Sequence, residues 1–130
     1  MKTRRHVLAL AGLLASAGLA PARAGEDAPF SEAAFEAART AGYPILIAIN
    51  APWCPICRTQ KPIIKTLAAE PRFKDLRIFD IDFDSQKDLL RRFDARMQST
   101  LIAFKGKTEV GRSVGETQQE WIEGLMEKTL

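Results

Sequence analysis

A chain of 130 residues, 46% of them apolar, has room for one domain with a modest core. It carries 19 basic and 16 acidic residues, but Lys2, Arg4, Arg5 and Arg23 fall in the first 24 positions, where there is no acid, and the remainder has a net charge of −1. That balance excludes a nucleic-acid or membrane surface built on net charge, and two cysteines alone exclude a disulfide scaffold.

Residues 1–24 read as a secretory signal peptide. Lys2, Arg4 and Arg5 form a positive head, residues 7–20 are apolar and uncharged, and Ala22-Arg23-Ala24 is a small-x-small cleavage signal. The apolar run is too short to span a bilayer comfortably. Gly25 then begins the mature chain, which is expected in the periplasm. The stretch Thr3-Arg4-Arg5-His6-Val7-Leu8 also resembles a twin-arginine signal, so Sec and twin-arginine export both stay open. Cleavage removes His6, the only histidine, and leaves no imidazole to act as base or ligand.

Residues 25–30 read as a mobile lead-in to a domain over residues 31–130. Ser31 is an N-cap for a helix over residues 32–41 that ends at Gly42. Residues 44–49 are a continuous apolar run, the pattern of a strand covered on both faces. After the cysteines, Ile56, Ile63, Ile64 and Leu67 recur at helical spacing, with Pro62 predicting a kink. Residues 77–83 predict a second strand. Ser85 with Asp88 reads as a capping box for a short helix carrying Leu89, Leu90 and Phe93. Residues 100–104 predict a third strand, and Lys105-Gly106-Lys107 a turn into a fourth around Val110 and Arg112. Thr117 with Glu120 reads as a second capping box, opening a helix with Trp121, Ile122, Leu125 and Met126 on one side. The first two strands are joined through a helix and should be parallel; the last two are joined by a tight turn and should be antiparallel. The expected fold is α/β: a mixed four-stranded sheet with helices on both faces.

The two cysteines stand in Pro52-Trp53-Cys54-Pro55-Ile56-Cys57-Arg58. Two thiols without histidine cannot complete a tetrahedral zinc site, so no metal is expected. A haem attachment motif needs a histidine where Arg58 stands. A structural disulfide closing so short a loop would restrict the unfolded chain little. Thiol chemistry remains. Cys54 sits where a helix begins, and the free N–H groups and dipole there favour negative charge on its sulfur. Cys57 lies one turn further on the same face, where it can attack a mixed disulfide formed at Cys54. Cys54 is the candidate nucleophile and Cys57 the resolving thiol. Pro55 suits the first helical turn, having no N–H to leave unpaired. Trp53 should pack beside the motif and limit access.

These residues resemble the thioredoxin superfamily over about residues 31–130. Ile45-Leu46-Ile47 before Ala51-Pro52-Trp53-Cys54-Pro55-Ile56-Cys57 is similar to its strand leading into W-C-x-x-C. Pro62 matches its helix-kinking proline, Thr100 to Phe104 with Lys105-Gly106 its third strand and turn, and Val114-Gly115 the end of its last strand. The family's usual first strand has no clear counterpart, which implies a reduced version. The resemblance implies a thioredoxin-like fold and a thiol–disulfide oxidoreductase that needs no cofactor beyond a redox-active Cys54–Cys57 disulfide. It implies that Trp53, Pro55, Ser99 and Thr100 contact the client protein.

Two positions depart from the family. Ser99 stands where members carry a cis-proline beside the cysteines. Ala48 stands where thioredoxins proper carry a buried Asp that moves protons for the second cysteine. The matching place on the neighbouring strand holds Asp80, so the acid has changed strands, and Asp80 is the candidate proton acceptor for Cys57. The competing reading makes Asp80, Asp82 and Asp84 a solvated strand end. Small exported relatives imply a dedicated reductase: a monomer fed by a membrane electron donor, passing electrons to one client. Two alternatives stay open, a disulfide-forming oxidant and a non-catalytic binding module.

Overall fold

The computed structural model describes residues 24–130, so the leader lies outside the described residues except for Ala24. In chain order the elements are β1 (Asp27–Pro29), α1 (Glu32–Ala41), β2 (Pro44–Asn50), α2 (Pro55–Ala68), a 3-10 turn (Pro71–Phe73), β3 (Arg77–Asp82), α3 (Lys87–Arg92), β4 (Thr100–Lys105), β5 (Thr108–Val114) and α4 (Gln119–Glu127). The strands form one sheet in the order β1-β3-β2-β4-β5. β3 runs parallel to both β1 and β2, while β4 is antiparallel to β2 and to β5.

The continuous apolar run of β2 is explained by its central place. Leu46 and Ala48 point to one face and pack with Leu67 of α2 and Ile122 of α4. Ile45, Ile47 and Ile49 point to the other and pack with Phe35 of α1 and Leu90 of α3. Each such Leu, Ile or Phe side chain, taken fully out of water, contributes about 1.5–3 kcal/mol before chain entropy is counted.

α1 begins and ends as its sequence predicts. Ser31 Oγ accepts from the Ala34 N–H at 3.3 Å, and Gly42 takes φ +79° to close the helix. α2 runs as one helix through Pro62.

The sheet has five strands, not four. The stretch read as a mobile lead-in carries β1, which pairs with the outer edge of β3. Its sequence, Asp-Ala-Pro, has no apolar alternation; it is a strand because β3 offers a free edge, and Pro29, lacking an N–H, is tolerated there. The Phe30 N–H donates to Asp80 O at 2.8 Å and the Gly25 N–H to Leu76 O at 2.8 Å, extending the hold at both ends.

Neither capping box forms. Ser85 donates its hydroxyl to Asp82 Oδ2 at 2.5 Å, and its N–H to the same oxygen at 2.9 Å, so it closes the turn after β3. α3 starts two residues later behind Gln86 without a side-chain cap. At α4, Glu116 Oε1 accepts from the Thr117 and Gln118 N–H groups, and Gln118 takes the cap position without a side-chain bond. Trp121 lies outside the buried stripe of α4 and is 66% exposed, whereas Ile122, Leu125 and Met126 are buried.

Candidate active site

The chain leaves the C-terminal end of β2, turns through Ala51-Pro52-Trp53, and enters α2 at the cysteines. Cys54 is the N-cap of α2, with extended backbone, and Pro55 fills the first helical position. Cys54 Sγ accepts from the Cys57 N–H at 3.2 Å. The two sulfurs are 2.6 Å apart and both thiols are free. Both residues are buried, at 1% and 2% exposure. Trp53 and Ile56 are the exposed apolar rim around them. Trp53 stacks edge-on against Phe83, and its Nε1–H donates to Asp84 Oδ2 at 2.9 Å.

Burial pushes the Cys57 thiol above its ordinary value, and the hydrogen bond with Cys54 adds to this; the backbone of Ala51 and Ser99 acts the other way. Cys57 therefore keeps its proton near neutral pH. The Ile49 carbonyl faces its sulfur at 3.9 Å.

The loop before β4 stands against this sulfur. The Gln98–Ser99 bond is trans, as are all peptide bonds among the described residues, and Ser99 takes φ +59°. That left-handed backbone turns the Ser99 N–H onto the Ile49 carbonyl at 2.7 Å. The Ser99 carbonyl accepts from the Gly115 N–H at 3.0 Å and from Gln60 Nε2 at 3.2 Å, and its hydroxyl donates to Gln98 O at 2.5 Å. Thr100 is buried and donates its hydroxyl to Met97 O at 2.6 Å. Of this loop, Met97 is the large apolar side chain left exposed.

Asp80 separates from Asp82 and Asp84. Asp82 is tied to Ser85, and Asp84 to Trp53. Asp80 lies on the face of β3 that meets α2, with Ala48 directly beside it on β2. The methyl of Ala48 leaves space, and the two residues share a small cavity of about 20 Å³ with Asp27, Asn50 and Lys61. Asn50 Nδ2 donates to Asp80 Oδ1 at 2.7 Å. Burial first, and the Asp27 carboxyl second, push the Asp80 carboxyl up to about 7. A larger cleft of about 390 Å³ opens beside it, and Cys57, Asp80 and Lys61 are all on its wall. The cleft thus joins the Cys57 thiol to an acid poised near neutrality, the condition for proton transfer in either direction. Among the described residues, no group of three or more His, Cys, Asp or Glu side chains is placed to hold a metal ion.

The structure adds residues that the sequence did not single out. Gln60, 1% exposed, braces the Ser99 loop. Asn50, Lys61 and Asp27 surround Asp80. Helical spacing from Cys57 does place Gln60 and Lys61 on its face, a signal that was available; nothing local points to Asp27.

Comparison with known proteins agrees with this arrangement. The family profile described as Thioredoxin matches residues 27–128. Thioredoxin H2-2 of rice is 36% identical over 76 residues, 58% of this chain, and the chain spans 55% of that relative's length. Thioredoxin of Chlamydia pneumoniae is 33% identical over 84 residues, 65% of this chain and 80% of its own. Among solved structures, Trxlp from Edwardsiella tarda superposes with a TM-score of 0.75 at 40% identity, covering 78% of this chain and 98% of that one. The Nicotiana alata thioredoxin NaTrxh, at 24% identity and a TM-score of 0.69, shares the fold over 86% of this chain and 96% of its own. With a profile matched from β1 to the end of α4, and the cysteine turn placed between a central parallel strand and its helix, this chain belongs to the thioredoxin family.

Proposed function

We propose that the protein is an exported thiol–disulfide oxidoreductase, working as a dedicated reductase of a client protein. The observation that carries this reading is the pair of free thiols 2.6 Å apart at the start of α2, the inner one facing a cleft shared with Asp80. Cys54, as thiolate, attacks a client disulfide; one client sulfur leaves as a thiol and the other forms a mixed disulfide with Cys54. Cys57 gives its proton towards Asp80 and attacks Cys54 Sγ. The Cys54–Cys57 disulfide forms and the second client sulfur leaves as a thiol, so two electrons pass to the client. A dithiol donor, membrane-borne in this reading, then returns two electrons to the protein. The chemistry rests on the cysteines alone.

Ile56, uncharged between the cysteines, gives the Cys54 thiolate no positive partner, which favours a reducing rather than a strongly oxidising couple. Export is supported by the layout of residues 1–24. Trp53 and Ile56, the exposed apolar rim of the cysteines, offer the surface on which a client docks. Pro55 favours the competing reading, a disulfide-forming oxidant, because proline between the cysteines is also the spacing of oxidants. Equilibration of the protein with glutathione buffers separates the two. A potential near −270 mV supports the reductase; one near −120 mV makes the protein an oxidant. Binding of the client that survives Cys54→Ser unchanged would instead indicate a non-catalytic module.

A further inference from the structure

We propose that Asp27 and Asp80 hold one proton between them as a carboxyl pair, and that Asp27 is a positioning residue setting when Asp80 can take the proton of Cys57. This rests on the reading of Asp80 as the proton acceptor. It makes the edge strand β1, which also lines the cleft through Pro29, a working part of the redox centre.

The register brings the two acids together. In the parallel pairing of β1 with β3, Asp27 is opposite Ile78 and Pro29 is opposite Asp80. Side chains two apart on a strand share a face, so Asp27 and Asp80 are diagonal neighbours on the side covered by α2. Both line the cavity of about 20 Å³, room for roughly one water molecule. The Asp27 side chain, 48% exposed, is the solvent-reaching member of the two, and Asp80 the more enclosed.

The surrounding charges leave one carboxyl uncompensated. Lys61 Nζ lies 3.6 Å from Asp27 Oδ2. Asn50 donates to Asp80 Oδ1, which is a neutral contact. The other charged or titratable groups on the two cavities are Lys65, Arg58 and Cys57 of α2, and Asp82 of β3, itself tied to Ser85. With Lys61 ion-paired to Asp27, and Asp80 left with the neutral Asn50 contact, a proton is retained and shared between the two carboxyls. The directions of titration agree: Asp27 is held below its ordinary value by its hydrogen bond with Asp80 and then by Lys61, while Asp80 is raised by burial and then by Asp27. The proton thus resides on Asp80, donated toward the Asp27 carboxylate. Asp80 releases it, and becomes able to accept from Cys57, only when the pair as a whole titrates.

The test is carbon-13 NMR of the aspartate carboxyl carbons and of Cys57 Cβ across pH in the reduced protein, Asp27→Asn and Asp80→Asn. In the unaltered protein, the Asp27 and Asp80 carbons should each show both inflections of a coupled pair. Asp27→Asn should lower the Asp80 midpoint by about one pH unit or more and move the Cys57 inflection with it. If Asp80→Asn moves the Cys57 inflection while Asp27→Asn leaves Asp80 and Cys57 in place, the pair is overturned and Asp80 acts alone. If neither substitution moves Cys57, the acceptor reading itself falls and the proposal with it. Should Asp27→Asn not fold, the unaltered protein decides: one independent inflection for each acid overturns the pair.

Discussion

Gln60 Nε2 donates at once to the Ser99 carbonyl at 3.2 Å and to the Glu116 carbonyl at 2.8 Å, tying α2 to the loop before β4 and to the end of β5. The side chain is 1% exposed, so no water replaces these bonds if it is cut back. Gln60→Ala should cost about 1–3 kcal/mol of stability, read from urea unfolding, because it leaves buried carbonyls short of a donor. Client turnover should fall as well, since the loop beside Cys57 loses its brace. A loss below about 0.5 kcal/mol would show that the brace is dispensable.

Ser99 holds φ +59° without being glycine. Left-handed backbone costs a residue with a Cβ about 1–2 kcal/mol. Ser99→Gly should therefore be more stable than Ser99→Ala by about 1 kcal/mol, both having lost the hydroxyl bond to Gln98. Ser99→Pro should be the least stable of the three, by about 3 kcal/mol, because proline fixes φ near −65° and removes the N–H that donates to Ile49 O. Thermal and urea unfolding of the three variants would rank them, and a proline variant as stable as the serine protein would show that the loop refolds freely.

Asp80 sets a pH dependence of stability. Its carboxyl is raised in the fold to about 7 from an ordinary 3.8. Between those values the folded protein holds a proton that the unfolded chain has released. Stability is then greatest below about pH 4 as far as this group is concerned, and is lost as pH rises toward 7. Asp27 acts oppositely, but only on acidification below its unfolded value, outside that window. Because water reaches Asp80 from the cleft, we expect a fall of about 1–2 kcal/mol between pH 5 and pH 8, flattened in Asp80→Asn. Urea midpoints at the two pH values measure it; an equal slope in both proteins would contradict the buried-acid account.

The two cysteines should separate in trapping experiments. Cys57→Ser should accumulate a mixed disulfide at Cys54 with a client or a small disulfide, detected by intact mass, whereas Cys54→Ser should accumulate little. In the unaltered protein, resolution should quicken as pH rises, because Cys57 is held protonated by burial. Equal trapping by both variants would mean that either sulfur is open to attack.

The sequence by itself determined the parts whose cause is local or periodic. The apolar run of β2 could only be a covered strand, Ser31 and Gly42 bounded α1, and the spacing of Cys54 and Cys57 put two thiols on one helical turn. The parallel and antiparallel pairings followed from connection length. Tertiary structure decided what depends on a partner far away in the chain. Asp27-Ala28-Pro29 has no strand character of its own and pairs because β3 has an open edge. Ser85 and Thr117 both begin plausible capping boxes, yet Asp82 captures the first and Glu116 supplies the bonds at the second. Asp80, Asp82 and Asp84 are alike in sequence, and only packing separates them. One faces Ala48 and α2 in a small cavity, one closes a turn, and one holds Trp53. Hydrogen-bond competition and desolvation are properties of the assembled neighbourhood, and residue order alone does not carry them.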